Sequence, residues 1–490
     1  MLGSGIDLRV VIERTYKRMK EEISDSSRTK ITVALFVATF LAAIEGTIVG
    51  TAMPSITGEL EGVQLYSWII SIYLLATVIT TPIYGKLSDL YGRKRMFIIG
   101  ALIFLAGSML SGIAQSMTEL IWYRALQGLG AGALTTIPYT VIGDLYSFEK
   151  RAKVQGWMSS IWGIAGISGP LLGGLLVDYV SWRAIFYMNL PFGIVALIML
   201  SLSMKEKLEK QKRHIDFPGI IVFSVGMFFF LYAMSLLRGE GGNAPSGWGT
   251  AVLFGLSAAL LAFFIWIEKR SPEPIIPLQL FRSRLISMAN IISFLLCVIN
   301  VAVIFYLPLW FQGVYGQSAT YSGILMIPLS IAWPLGSILA GNLISKTGLR
   351  TICIISACFL LVSNAGFALV GSSSSIWLLV FYTFLSGISF GLTLTALTVA
   401  VTSAVGRELR GAAVASNNFI RTLGQTIGIT VFGLMLHTGT ANDIDPAALE
   451  ASLHHIFVWV AWLSVAVLLL SFITPKQAQE EPLQAGNQAS

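Results

Sequence analysis

Glu45 lies inside the apolar run Phe40-Leu41-Ala42-Ala43-Ile44 and Gly46-Thr47-Ile48-Val49, the one acidic residue of 25 placed well within such a run. An ionised carboxyl at that depth in hydrocarbon is costly unless it is neutralised or paired, so burial pushes it toward the range where protons exchange. A carboxyl protonated when it faces one side of a membrane and ionised when it faces the other is a proton carrier; a static, hydrogen-bonded Glu is the simpler alternative. Arg124, in Arg124-Ala125-Leu126-Gln127-Gly128-Leu129-Gly130-Ala131-Gly132, is the matching cation. Its guanidinium can pair with Glu45 or face a water-filled cleft, and proton release and charge pairing would then be linked. Arg421 is read as nearer the cytoplasmic end of its span and as snorkelling to the interface.

A second constellation is Gly85-Lys86-Leu87-Ser88-Asp89-Leu90-Tyr91-Gly92-Arg93-Lys94-Arg95, an acid within a basic cluster at a tight reversal. Glycines permit the turn, and Asp89 with Arg93 can form an ion pair that ties helix ends together. The order of residues is more specific than a topological signal requires. It resembles the loop signature of the major facilitator superfamily, in which the Asp and first Arg latch the cytoplasmic side, and Asp144 resembles the third latch partner. The Arg124 segment and Gly156 with Gly169-Pro170-Leu171-Leu172-Gly173-Gly174 are similar to motifs of the drug/proton antiporter branch, with Ala165 where that motif has glycine. Gly46-Thr47-Ile48-Val49 to Pro54 and Trp182-Arg183-Ala184-Ile185-Phe186-Tyr187-Met188-Asn189-Leu190-Pro191 fit its fourteen-span subgroup. The resemblance implies a multidrug exporter driven by protons; that subgroup usually has Asp where this chain has Glu45.

The elements that must position these residues are membrane helices. Charged residues are 12% and hydrophobic residues 55% of 490 positions, and runs of ~20 apolar residues, enough to cross the hydrocarbon core, recur along the chain. Fourteen spans are expected, from 31–53 to 454–473. With a net charge of +7, 28 of the 32 Lys and Arg residues fall in segments on one side of these spans, which places both termini in the cytoplasm of a bacterial inner membrane. Residues 6–23 read either as a basic surface helix or as a solvated tail.

The halves repeat weakly. Gly85 to Gly92 matches Gly341 to Gly348 at an offset of 256, and Gln127-Gly128 with Ser386-Gly387 and Arg151 with Arg410 match at 259. The expected organisation is a cytoplasmic segment 1–30, a six-helix bundle 31–204, an inserted helix pair 205–284, a second six-helix bundle 285–473 and a tail 474–490. Two such bundles predict an all-α major facilitator fold with a cleft at mid-membrane that opens alternately to each side. Tyr73, Gln127, Tyr139, Asn300 and Trp310 are the candidates to line it, with Trp162 and Asn418 among other polar or aromatic residues. One acid amid apolar walls favours lipophilic neutral or cationic cargo.

Cys297, Cys353 and Cys358 lack metal-ligand spacing, and neither a phosphate loop nor a nucleophile motif occurs. The expectation is therefore a monomeric transporter, not an enzyme, with no cofactor, no metal and no nucleic-acid partner, exchanging small molecules for protons. Exchange of Na+ or K+ for protons, alone or beside drug export, is the alternative.

Overall fold

Lipid offers no partner to an unpaired backbone N–H or C=O, so a chain this apolar satisfies its backbone within helices. The computed structural model describes residues 25–60, 65–204, 206, 216–237, 247–271, 274–317, 319–371, 374–436, 439–440, 443–444 and 446–476. Residues 6–23 and most of the tail from 474 onward lie outside these. The helices are α1 (Asp25–Leu60), α2 (Tyr66–Tyr91), α3 (Arg93–Ile113), α4 (Met117–Leu145) and α5 (Phe148–Tyr179). They continue as α6 (Ala184–Ser203), α7 (Phe217–Leu237), α8 (Gly247–Glu268), α9 (Arg284–Gly313) and α10 (Ala319–Thr347). The last four are α11 (Leu349–Leu369), α12 (Ile376–Ser403), α13 (Arg410–Met435) and α14 (Pro446–Ile473).

Local chemistry sets their ends. Ser116 caps α4 by accepting from Glu119 N at 3.2 Å while Glu119 returns a bond from Gln115 N at 3.0 Å, a reciprocal pairing that holds two otherwise orphaned donors. The reversals α2–α3 and α10–α11 each turn on a glycine in the left-handed region, Gly92 at φ 95° and Gly348 at φ 79°. These are the two glycines that the repeat aligns. In α9 a π-turn over Ala302–Tyr306 precedes Pro308, whose missing N–H interrupts the regular bonding. Helix α5 bends by 42° between Gly166 and Leu171, across the Gly169-Pro170 step.

Among the described residues eleven helices are long and apolar enough to cross a membrane, twelve with bent α5, where fourteen spans were expected. The difference lies in α4 and α13, which are 29 and 26 residues long but carry Glu119, Arg124 and Asp144, and Arg410 and Arg421. Both are packed among other helices, where Arg124 and Arg421 find protein partners, while Glu119 at the start of α4 is exposed.

Buried side chains of α1–α6 form two clusters, one around Phe97, Phe104 and Leu134 and one around Ile44, Ile48 and Phe186. Those of α9–α14 form a larger one around Trp310, Phe367, Phe390 and Phe457. Helix α7 packs Phe223, Met227 and Leu231 against Leu75, Val78 and Ile79 of α2, with Phe419 and Leu423 of α13 alongside. The inserted pair therefore lies over the seam where the halves meet. Two helix pairs make most of that seam, α5 with α10 and α2 with α13.

Small residues set both crossings. A Cβ on Gly85 of α2 would stand 2.7 Å from Gly411 O of α13, and one on Gly341 of α10 would stand 2.6 Å from Ala152 O of α5. These contacts are related by the same offsets of 256 and 259, so the repeat is also a repeat of contacts. Close backbone approach of this kind is how helices associate where no hydrophobic effect separates them from lipid.

Candidate functional site

Helix α1 carries Glu45 inward and α4 carries Arg124 to meet it; each residue is 1% exposed. Arg124 Nη1 donates to Glu45 Oε1 and, at 2.7 Å, to Gln127 Oε1 one turn along α4, while Arg124 Nε reaches Ile69 O at 3.4 Å. The second carboxyl oxygen, Oε2, accepts from Asn189 Nδ2 of α6 at 2.8 Å. Asn189 also donates to Ser108 Oγ at 2.9 Å, and Ser108 to Phe186 O at 2.9 Å. The Tyr73 ring covers the guanidinium, its centroid 4.3 Å from Arg124 Cζ. Five helices thus converge on one carboxylate whose oxygens both face N–H donors. A buried ion pair is held only when its remaining polar atoms are also satisfied, which Gln127, Ile69 and Asn189 accomplish here.

Depth matters for such a group. Arg124 is seven residues from the Met117 end of α4 and Asp144 is one residue from the other end, so helical rise separates them by about 30 Å. The Glu45–Arg124 pair therefore sits toward the end of the bundle opposite the Asp89 loop.

That loop closes its own end of the molecule. Arg93 Nη2 pairs with Asp89 Oδ1 at 2.6 Å and Arg93 Nε with Asp144 Oδ2 at 2.9 Å, all three side chains nearly or fully buried. Arg93 also donates to Ser88 O at 2.9 Å and, across the seam, to Arg407 O at 2.7 Å. Asp89 accepts from two backbone N–H groups at the start of α13, Gly411 N at 3.0 Å and Ala412 N at 2.9 Å. An anion at a helix N-terminus is favoured by the unpaired N–H groups and by the dipole. Asp144 in turn pairs with Arg410, which also donates to Gly143 O at 2.9 Å. On the symmetric side Arg151 reaches Thr402 O at 3.4 Å and Ser403 Oγ at 3.1 Å. Offset by 259, Arg151 corresponds to Arg410, and Gly143-Asp144 to Thr402-Ser403. The two arms are the same clasp, Arg410 meeting a carboxylate in one copy and Arg151 a carbonyl and a hydroxyl in the other.

Gly92 is held at the turn by more than its backbone angle, since a Cβ there would strike the Glu206 carboxylate, which accepts from Arg93 N at 2.8 Å and Lys94 N at 3.0 Å and so caps α3. Gly156 of α5 faces Ser337 O of α10, with 2.7 Å left for a Cβ, and Gly169 packs against Thr47 of α1. Gly173 is buried, Gly174 has open space where a Cβ would stand, and the Pro170 side chain lies outside the described residues.

The cleft candidates separate. Tyr73 and Gln127 belong to the Glu45–Arg124 cluster. Tyr139 lies at the seam, its hydroxyl accepting from Trp162 Nε1 at 3.3 Å. Asn300 is buried in α9 with its Nδ2 unpartnered, and Trp310 is 1% exposed within the second bundle, packed on Phe457 at 5.6 Å and Tyr315 at 6.5 Å. Trp310 is a core residue of its bundle. Arg421 departs from its expected place at the cytoplasmic interface. It stands at the midpoint of α13 and donates to Leu394 O and Thr398 Oγ1 of α12, both at 2.8 Å.

The sequence pattern of the Major Facilitator Superfamily matches residues 35–429, which span both bundles and the clasped loop. The chain belongs to the major facilitator superfamily. Multidrug transporter protein MdtP of Bacillus subtilis (strain 168) is 36% identical over 428 residues, 87% of this chain and 78% of that protein. Multidrug resistance protein 3 of the same organism is 35% identical over 425 residues, 85% of this chain and 81% of that protein. In structure the chain is similar to the human organic anion transporter MFSD10 (TETRAN), with a TM-score of 0.66 at 13% identity over 91% of this chain and all of that one. It is equally similar to the proton:xylose symporter XylE, with a TM-score of 0.66 at 15% identity over 93% and 97%. At such identities the structures speak for the fold alone, and this member of the superfamily is a multi-pass membrane protein.

Four participants were not singled out in the sequence. Asn189 is one amide within the run from Trp182 to Pro191, Gly411 and Ala412 contribute only backbone, and Glu206 is one of many charges after α6. The repeat offered a partial clue to Arg410, since it aligns with Arg151.

Proposed function

We propose that this chain exports lipophilic drugs or other small organic molecules in exchange for protons, by alternating access. The observation that carries the reading is the Glu45–Arg124 pair, a fully buried acid and base held by Asn189, Gln127 and Ile69 at the end of the bundle away from the Asp89 clasp. Protonation of Glu45 would release Arg124 from its only carboxylate among the described residues and loosen the contact between α1 and α4, which is a means of coupling a proton to a conformational step. The similarity to two multidrug proteins supports drug cargo.

In this reading α4 and α13 also cross the membrane, giving fourteen spans: bundles 31–204 and 285–473 and the inserted pair 205–284. The basic ends of the helices lie in the cytoplasm with both termini. The clasp of Asp89, Arg93 and Asp144 on Arg407, Arg410 and the start of α13 then closes the cytoplasmic side, and the conformation is one closed to the cytoplasm. Gly156 and Gly169 let α5 slide or seal against α10 and α1. A carboxylate whose two oxygens face guanidinium and amide donors is a poor seat for Na+ or K+, which take several oxygen ligands, so proton exchange is favoured over cation exchange.

Cells expressing the protein and loaded with ethidium or rhodamine 6G should lose dye faster than cells lacking it, and a protonophore should abolish the difference. Dye loss that persists unchanged after the protonophore would sink the coupling.

A further inference from the structure

The two helix pairs at the seam place different side chains at equivalent points. Trp162 stands at the midpoint of α5 and Arg421 at the midpoint of α13, and the two are related by the repeat offset of 259. Their partners are related by the same offset: Trp162 Nε1 donates to Tyr139 of α4, and Arg421 donates to Thr398 of α12. One half presents an indole at mid-membrane and the other a guanidinium. Tyr139 brings them to the same side, because its hydroxyl holds the indole while it lies within electrostatic reach of Arg421. Asn418 Nδ2 of α13, three residues nearer the clasped end of that helix than Arg421, donates to Thr135 O of α4 at 3.1 Å and so joins the halves. Arg421 thus sits on the floor of whatever space opens between the bundles.

Arg421 lacks what Arg124 has. Among the described residues no carboxylate lies within ion-pair distance of it; its acceptors are a backbone carbonyl and a hydroxyl, and its Nε has no hydrogen-bond partner. The titratable groups that face it are Cys297 and Tyr139, both neutral at pH 7. A guanidinium at mid-membrane, with donors to spare and no counter-ion, is stabilised by an anion that arrives from outside the chain.

We propose that Arg421, with Trp162 and Tyr139, forms a cargo seat for planar organic acids, the carboxylate or phenolate taken by the guanidinium and the ring by the indole. This extends the cargo from the lipophilic neutral and cationic compounds that the sequence favours, and it rests on the export reading above. Charge balance is consistent with it: Glu45 neutralises Arg124, whereas the anion neutralises Arg421. Aromatic stacking on Trp162 fits this role because the ring is 40% exposed.

The test is binding to the purified full-length protein in detergent, followed by fluorescence polarisation, with fluorescein as the planar acid and rhodamine 6G as a planar cation without a carboxylate. Arg421→Gln should weaken fluorescein at least about tenfold, the loss of one charge-assisted contact, and leave rhodamine 6G within about twofold. Arg421→Lys, which keeps the charge, should retain fluorescein within roughly threefold of wild type. Fluorescein binding that is unchanged in Arg421→Gln, or a loss of both dyes alike that Arg421→Lys shares, overturns the seat. Wild type that binds and exports rhodamine 6G but does not bind fluorescein also overturns it and leaves the export reading standing. Wild type that neither binds nor exports either dye counts against both.

Discussion

Asp89→Asn changes one oxygen for an amide at the point where the two halves are tied, so its cost can be worked from contacts. The carboxylate accepts from Gly411 N at 3.0 Å through Oδ1 and from Ala412 N at 2.9 Å through Oδ2, and it pairs with Arg93 at 2.6 Å. Asn keeps one acceptor oxygen. Its amide group turns a donor toward the second N–H, so one bond to a charged acceptor is lost, about 1.5–3 kcal/mol. The favourable charge at the N-terminus of α13 goes with it, about 0.3–1 kcal/mol. Both contributions exist only while this end is closed, because Gly411 and Ala412 belong to the other bundle. The sum of about 2–4 kcal/mol lowers the ratio of closed to open molecules by roughly 30- to 900-fold. Spin labels at the exposed positions Lys150 and Glu408, one on each half, would report the ratio as a distance distribution by pulsed electron resonance. The variant should gain a long-distance population that wild type lacks. A distribution identical to wild type would refute the argument, for it would mean that the Asp89 bonds survive opening or contribute nothing to closure.

Other predictions rest on separate contacts. Gly156→Val places a Cβ 2.7 Å from Ser337 O and should slow dye efflux roughly 5- to 150-fold through about 1–3 kcal/mol of overpacking, with Gly156→Ala milder, both read from efflux rates. Asn189→Leu removes the donor to Glu45 Oε2 and should reduce proton-driven dye transport by roughly fivefold or more, while surface expression stays at the wild-type level. Glu59, at the opposite end from the clasp, accepts from Arg183 and from Trp182 Nε1 at 2.6 Å, and these bonds hold its carboxyl below the ordinary value of 4.5. A depressed carboxyl contributes its tie above the unfolded value and loses it as pH falls through the folded one. Trp182 fluorescence, taken as the difference from Trp182→Phe, should therefore be constant from pH 7 down to 4.5 and change only below it; a transition near pH 6 would contradict the assignment.

What was legible in the sequence was whatever stood out against apolar surroundings. Glu45 and Arg124 could be singled out because a charge within a span has few reasons to be there, and the loop from Gly85 to Arg95 because its order is specific. What was not legible was mostly partnership. Asn189 meets Glu45 across 144 positions, and Asp89 meets Gly411 across 322 through backbone that any residue could supply. Arg421 was misplaced for a different reason: α13 begins at a charged clasp, so its apolar stretch does not mark its centre, and its partners Leu394 and Thr398 look like ordinary span residues. Trp310 was drawn toward the cleft by its residue type, but an indole fits a bundle core equally well.

The central claim is that Glu45 carries the proton. Inverted membrane vesicles energised with a proton gradient, monitored with a pH-sensitive dye, test it most directly when a lipophilic drug, Na+ or K+ is added to wild type and to Glu45→Gln. The account predicts that an organic compound collapses the gradient in wild type, that Na+ and K+ do not, and that Glu45→Gln, inserted at normal levels, shows no collapse. An equal drug-induced collapse in Glu45→Gln, or collapse by Na+ or K+ alone in wild type, would contradict it.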